Sequence, residues 1–148
     1  STNSKLLYPT VTRFLSTAPG TTDGSSITST LYEKVCRETL DTLSEYVEEI
    51  VDRTNKLENA EVFYGDGVLT INLGKKYGTY VINRQLPNKQ IWLSSPKSGP
   101  KRFDFVAGNS GEEGEWVYKH TGESLHGLLQ DELGAIFQDE LKFTELPY

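Results

Sequence analysis

The chain has 148 residues and a mass of 16.6 kDa, the size of one domain that can bury a core without disulfide or metal staples. One cysteine, two histidines and the lack of any run of about 18 apolar residues exclude a disulfide framework, a His-rich metal centre and a membrane-spanning helix. The net charge of −6 argues against nucleic-acid binding, but it is unevenly spread. Residues 31–66 carry ten acids and four bases, residues 71–104 seven bases and one acid, and residues 105–148 nine acids and two bases. Such blocks are either solvated faces or surfaces that meet different partners.

Residues 1–30 are rich in Ser and Thr, contain Pro9, Pro19 and Gly20, and have no acid before Asp23. Hydroxylated, basic and acid-poor, they read as a disordered segment left from an organellar transit peptide, and the lack of an initiator Met fits that reading. Arg13-Phe14-Leu15 followed by Ser16 is similar to a matrix-processing site, so the expected mature start is at or after Ser16.

Residues 31–148 form the expected single domain. Residues 31–53 read as an amphipathic helix capped by Ser29 or Thr30, with Leu31, Val35, Thr39, Leu43, Val47 and Ile50 along one stripe. A run of strands follows. Glu61–Tyr64 and Val68–Leu73 make a hairpin around Gly65-Asp66-Gly67, in which the glycines are expected to take positive φ. After a turn at Gly74-Lys75-Lys76 come Tyr77–Arg84, Lys89–Ser94, Lys101–Phe105 and Glu115–Tyr118, with a flexible loop at 106–114. Alternation turns Tyr80, Ile82, Ile91, Leu93, Phe103, Phe105, Trp116 and Tyr118 inward. Ser124 caps a second helix over about residues 125–139. The order is that of an α+β fold. It is a two-layer α-β sandwich, with two helices packed on one face of an antiparallel sheet of five to seven strands and the other face open to water.

No GxSxG, P-loop or HExxH pattern is present. His120 and His126 read as surface or packing residues, and Cys36 as a buried thiol beside the apolar stripe. Two features stand above this background. Glu38, Asp41, Glu45, Glu48, Glu49 and Asp52 recur three or four apart, so they are neighbours on one helix face, where like charges cost roughly 0.2–0.5 kcal/mol per pair. A hard, ferrous or manganous cation would relieve that repulsion, and exposed carboxylates without His or Cys would hold it weakly. The alternative is a solvated face. The second feature is the outward sheet face. There Thr79, Val81, Asn83, Gln90, Trp92 and Arg102 point away from the helices, and an exposed Trp beside Arg and amides is the composition of a binding hot spot.

These residues also carry a resemblance. Gly78-Thr79-Tyr80-Val81-Ile82-Asn83, Pro87-Asn88-Lys89-Gln90-Ile91-Trp92-Leu93-Ser94-Ser95-Pro96, and Ser98-Gly99-Pro100-Lys101-Arg102 with Asp104 resemble the frataxin family. So do Glu38-Thr39-Leu40-Asp41, Asp66-Gly67-Val68-Leu69-Thr70 and Ser124-Leu125-His126, and the likeness covers roughly residues 31–148. It implies a frataxin-like fold and a mitochondrial matrix protein. The implied role is to regulate iron–sulfur cluster assembly by binding the cysteine desulfurase–scaffold complex and promoting sulfur transfer, with weakly bound ferrous iron. An alternative is a ferroxidase or iron-storage protein that uses the acidic ridge. The family's acidic positions fall on Asp41, Glu45, Glu48, Glu49, Asp52, Glu58 and Glu61, with Asn59 at a place where an acid is common. Its sheet-face positions fall on Asn83, Gln85, Asn88, Lys89, Trp92 and Arg102. A monomer, with an iron-dependent oligomer as a variant, and no nucleic-acid or membrane partner complete the expectation.

Overall fold

A computed structural model describes residues 27–108 and 113–148. Helix α1 (Ser29–Arg53) leads into β1 (Glu61–Gly65), β2 (Val68–Asn72), a single helical turn α2 (Gly74–Tyr77), β3 (Thr79–Gln85), β4 (Gln90–Ser95), β5 (Gly99–Val106), β6 (Glu115–Tyr118), the short β7 (Glu123–Ser124) and helix α3 (Leu125–Phe137). The seven strands form one antiparallel meander in chain order, so β1 and β7 are its edges. Both long helices cover one face, as the element order predicts.

Local signals set the boundaries. The Thr28 hydroxyl accepts from the Leu31 N–H at 3.1 Å and caps α1, which corrects the expected cap at Ser29 or Thr30. In the β1–β2 turn, Asp66 (φ 53°) and Gly67 (φ 76°) take the left-handed conformation while Gly65 remains in the strand. That pair builds the two-residue turn whose twist matches a hairpin. The turn expected at Gly74-Lys75-Lys76 is helical and closes on Gly78 at φ 82°. A Cβ there would stand 2.7 Å from the Pro96 Cβ, so only glycine lets the α2 and β4–β5 turns pack together. Strand β5 begins at Gly99, earlier than expected. Pro100 is tolerated because β6 pairs only with Asp104–Val106, so β5 begins as an edge. Strand β7 is too short for its alternation to be seen in the sequence. Helix α3 is capped by Ser124 as expected and stops at Phe137, where Gln138 turns left-handed. The segment read as a transit peptide lies outside the described residues up to residue 26, as do residues 109–112 of the expected loop.

The core lies between the layers. Tyr32, Val35, Leu40, Leu43 and Val47 of α1 meet Leu69, Ile71, Tyr80, Ile82, Ile91, Leu93, Phe103 and Trp116 of the sheet, with Leu128, Leu129 and Leu133 of α3 alongside. Several buried polar groups are paired within it. The Trp116 indole N–H donates to the Thr39 hydroxyl at 2.9 Å. The Tyr32 hydroxyl donates to the Gln90 carbonyl (2.7 Å) and accepts from the Gln85 N–H (3.0 Å), pinning α1 to the β3–β4 turn.

Glu132, only 7% exposed, occupies the apolar side of α3 four residues after Leu128. Its Oε1 accepts from the Tyr80 hydroxyl (2.8 Å) and the Ser95 hydroxyl (2.7 Å), and Ser95 in turn accepts from the N–H groups of Lys97 and Ser98. Burial opposes ionisation of this carboxyl. The hydroxyls of Ser98, Ser95 and Tyr80, with the field of Lys97, outweigh burial and hold its pKa below the usual value. Glu132 therefore clamps the β4–β5 turn to α3. We expect Glu132→Ala to cost roughly 2–3 kcal/mol at neutral pH, the worth of charge-assisted hydrogen bonds lost with the partners left buried. Because the folded pKa is depressed, that stabilisation is present above the unfolded value and fades as pH falls through the folded one. Urea unfolding at pH 7 and pH 3 should show the two proteins converging at the lower pH; a constant gap would disprove the ionised clamp.

Candidate functional site

The outward sheet face is built by register. Gly65, Val68, Asn83, Trp92 and Arg102 stand side by side across β1 to β5, and Gln85, Gln90, Asp104 and Val117 form the next row. Ile91 and Leu93 are buried, so Trp92 between them points away from the helices and is half-buried by its neighbours. The Arg102 guanidinium lies 4.8 Å above the indole ring, a cation–π stack. The Trp92 N–H donates to the Gln90 side-chain oxygen (2.8 Å), and the Gln90 amide donates to Asp104 (3.2 Å). These contacts hold the ring in one orientation and leave it on the water side.

Gln85 and Asn88 act locally: the Gln85 side-chain oxygen accepts from the Asn88 N–H (3.0 Å), and Lys89 closes the turn at φ 55°. Asn83 donates to the Arg84 carbonyl (3.0 Å). The sequence reading missed Phe63, which is 76% exposed in edge strand β1. Its signal was available, since Val62 and Tyr64 alternate inward around it.

The seven bases of residues 71–104 do not make a basic sheet. Lys75 and Lys76 lie in α2, Lys89 and Lys97 in turns, and Arg84 and Lys101 take the helix-side alternation, which leaves Arg102 on the outward face. Aromatic residues with Arg, amides and few charges are what the centre of a protein interface uses.

The second surface is α1. Glu45, Glu48, Glu49 and Asp52 are exposed, as are Glu58 before β1 and Glu61 at its start. Glu38 and Asp41 are half-buried and committed to protein contacts. Glu38 pairs with Lys34 (2.7 Å) and accepts from the Tyr148 hydroxyl (2.7 Å), and Asp41 accepts from the Tyr64 hydroxyl (2.9 Å). For Glu38, burial works against these hydrogen bonds and the Lys34 charge, which prevail and lower its pKa. Glu49 pairs with Arg53 (3.0 Å). Among the described residues no three of His, Cys, Asp or Glu converge on a metal-holding point. The ridge is therefore a row of separate carboxylates and not a preformed chelate. Asn59, at the position where an acid is common, sits at φ 61°, a backbone conformation that Asn tolerates better than most residues. Cys36 is sealed in the core, and burial pushes its thiol up to about 11, so no thiolate is available at neutral pH.

An α-β sandwich that presents an acidic helix on one side and a sparsely charged, Trp-centred sheet on the other defines a protein that works through surfaces. The frataxin-like domain family matches residues 25–139. The chain is 54% identical over 125 residues to the mitochondrial frataxin homolog of Drosophila melanogaster, which covers 84% of this chain and 65% of that protein. It is 50% identical over 109 residues to mitochondrial frataxin of Caenorhabditis elegans, covering 74% and 76%. Among solved structures it superposes on trimeric frataxin from the yeast Saccharomyces cerevisiae complexed with ferrous iron, with a TM-score of 0.61 at 37% identity over 71% of this chain and 87% of that one. This chain belongs to the frataxin family. Its relatives are named as mitochondrial, and it is a mitochondrial protein with them.

Proposed function

We propose that this chain regulates iron–sulfur cluster assembly in the mitochondrial matrix. It docks on a cysteine desulfurase–scaffold complex through the Trp92 face, promotes sulfur transfer, and carries ferrous iron weakly on the α1 ridge. The observation that carries the docking half is Trp92, oriented by Arg102 and Gln90 on the face that no helix of the described residues covers. Asn83 flanks the ring, Arg102 supplies free guanidinium donors, and Gln85, Asn88 and Lys89 shape the turn beside it. Reconstitution of desulfurase and scaffold with and without this protein, reading sulfide and cluster production, tests the proposal; equal rates would reject it.

The iron half rests on Glu45, Glu48, Glu49, Asp52, Glu58 and Glu61, all exposed oxygen donors without a soft ligand. Glu38 and Asp41 join only by giving up Tyr148 and Tyr64. Replacing Glu45, Glu48 and Glu49 with Gln and Asp52 with Asn should abolish most iron-dependent NMR shifts. Stability should rise slightly, because relief of the like-charge pairs, about 0.2–0.5 kcal/mol each, exceeds loss of the single exposed Arg53 pair. Iron-dependent shifts that persist in this variant would move the site elsewhere.

A second reading is an iron-oxidising or iron-storing oligomer, favoured by the trimeric state of the yeast relatives. Ferrous oxidation measured over many equivalents separates the two, since an enzyme turns over repeatedly and a carrier stops at stoichiometry.

A further inference from the structure

Strand β1 is the longer of the two sheet edges. β7, the other edge, has two residues and runs straight into α3. Natural edges are blunted by Lys, Pro or a covering segment. β1 reads Glu61-Val62-Phe63-Tyr64-Gly65, with neither Lys nor Pro, and no strand of the described residues pairs with its outer side. Its central Phe63 is 76% exposed.

The hairpin decides which backbone groups of β1 are free. Gly65 and Val68 close the two-residue Asp66-Gly67 turn, so they form a hydrogen-bonded pair, and bonded and non-bonded pairs alternate from there. Glu61, Phe63 and Gly65 therefore turn their N–H and C=O groups toward β2. Val62 and Tyr64 turn theirs away from the sheet, and these groups have no backbone partner among the described residues. The side chains divide the other way: Phe63 stands on the outward face, Val62 and Tyr64 on the helix side.

The helix side of this edge is acidic. The Tyr64 hydroxyl donates to Asp41 (2.9 Å), which fixes the flank of α1 that borders β1. Glu45, Glu48 and Asp52 follow Asp41 by four, seven and eleven residues, so they lie within about 40° of it around the helix. All three are exposed, and among the described residues none of them has an ion-pair partner.

We propose that β1 takes up an extended segment of another protein as an added antiparallel strand, one whose side chains alternate between apolar groups beside Phe63 and Lys or Arg beneath the acidic flank of α1. Main-chain bonds to Val62 and Tyr64 hold the segment, and the alternation makes it specific. A second copy is the poorer occupant. Its own α1 would arrive at the same seam and set one row of carboxylates against another.

The probe is an acetylated, amidated hexapeptide of alternating lysine and valine, titrated into the full chain and followed by NMR. The Val62 and Tyr64 amides should shift and become protected from exchange. In the antiparallel register the lysine nitrogens face β1 and the valine nitrogens face away. Methylating the lysine backbone nitrogens should weaken binding roughly tenfold or more, while methylating the valine nitrogens should not. Phe63→Ser, an exposed change, should also weaken it while the protein melts near the wild-type temperature. Trp92→Ala should bind the peptide like wild type, because β4 lies three strands from β1. Equal binding of the two methylated peptides, or shifts confined to α1, would mean attraction by the carboxylates without strand addition and would overturn the proposal. So would unchanged affinity in Phe63→Ser, lost affinity in Trp92→Ala, or a Phe63-dependent dimer of the chain alone in sedimentation.

Discussion

Trp92→Ala is expected to lower affinity for the proposed desulfurase–scaffold partner roughly 30- to 1,000-fold while the protein melts near the wild-type temperature. The size follows from hot-spot truncation, which costs about 2–4 kcal/mol. The neutrality for folding follows from position. Trp92 leaves the core side of β4 to Ile91 and Leu93, and its own contacts, the Arg102 stack and the Gln90 hydrogen bond, lie on the open face. Cross-strand pairs of this kind are worth about 0.2–1 kcal/mol, a small part of a domain's stability. Iron shifts on α1 should be unchanged, because the ridge is on the other layer. Calorimetric binding and thermal unfolding of the same variant decide the matter. A variant that folds and binds normally removes the sheet face from the proposed interface.

Deleting residues 141–148 should lower the melting temperature by many degrees and leave the domain unfolded or nearly so at 37 °C. Leu141 and Phe143 are buried, and Leu146 packs on the core. Each contributes roughly 1.5–3 kcal/mol by burial, and their sum competes with the 5–15 kcal/mol that holds a typical domain together. The deletion also removes the partners of Tyr46 and Gln130 and opens the cleft above His126 and beside Phe105. Circular dichroism melts of the full and truncated chains measure the effect; coincident curves would mean that the tail contributes nothing. Deleting only residues 144–148 should cost less, since Leu141 and Phe143 stay in place.

The two halves of the candidate site were legible to different depths. The alternation around Trp92 set its outward direction, and the three-and-four spacing of Glu45, Glu48, Glu49 and Asp52 placed them on one helix face. Neither spacing could show which carboxylates are already engaged. Glu38 and Asp41 fit the helical pattern as well as Glu45 does, yet their partners Tyr148 and Tyr64 lie 110 and 23 residues away in sequence. Likewise the basic block of residues 71–104 looked like one face. Backbone reversals carry Lys75, Lys76, Lys89 and Lys97 off the sheet surface and strand alternation turns Arg84 and Lys101 to the helix side, which leaves Arg102 alone of the seven on the outward face.

By itself, the sequence determined what depends on local period and turn chemistry: two long helices, the antiparallel meander, the Ser124 cap, the reversal between β1 and β2 and the core side of each long strand. These follow from interactions among residues a few positions apart. The tertiary structure alone decided what depends on long-range contact. A carboxylate on the apolar stripe of α3 became a clamp, because Tyr80 and Ser95 arrive from other strands to hold it charged. The tail, with no periodicity of its own, became ordered because Tyr46 and Gln130 on two helices bind its backbone. His126, unremarkable in its helix turn, became a buried ring because that tail folds over it. Burial is a property of everything that packs against a residue, and no window of the chain contains it.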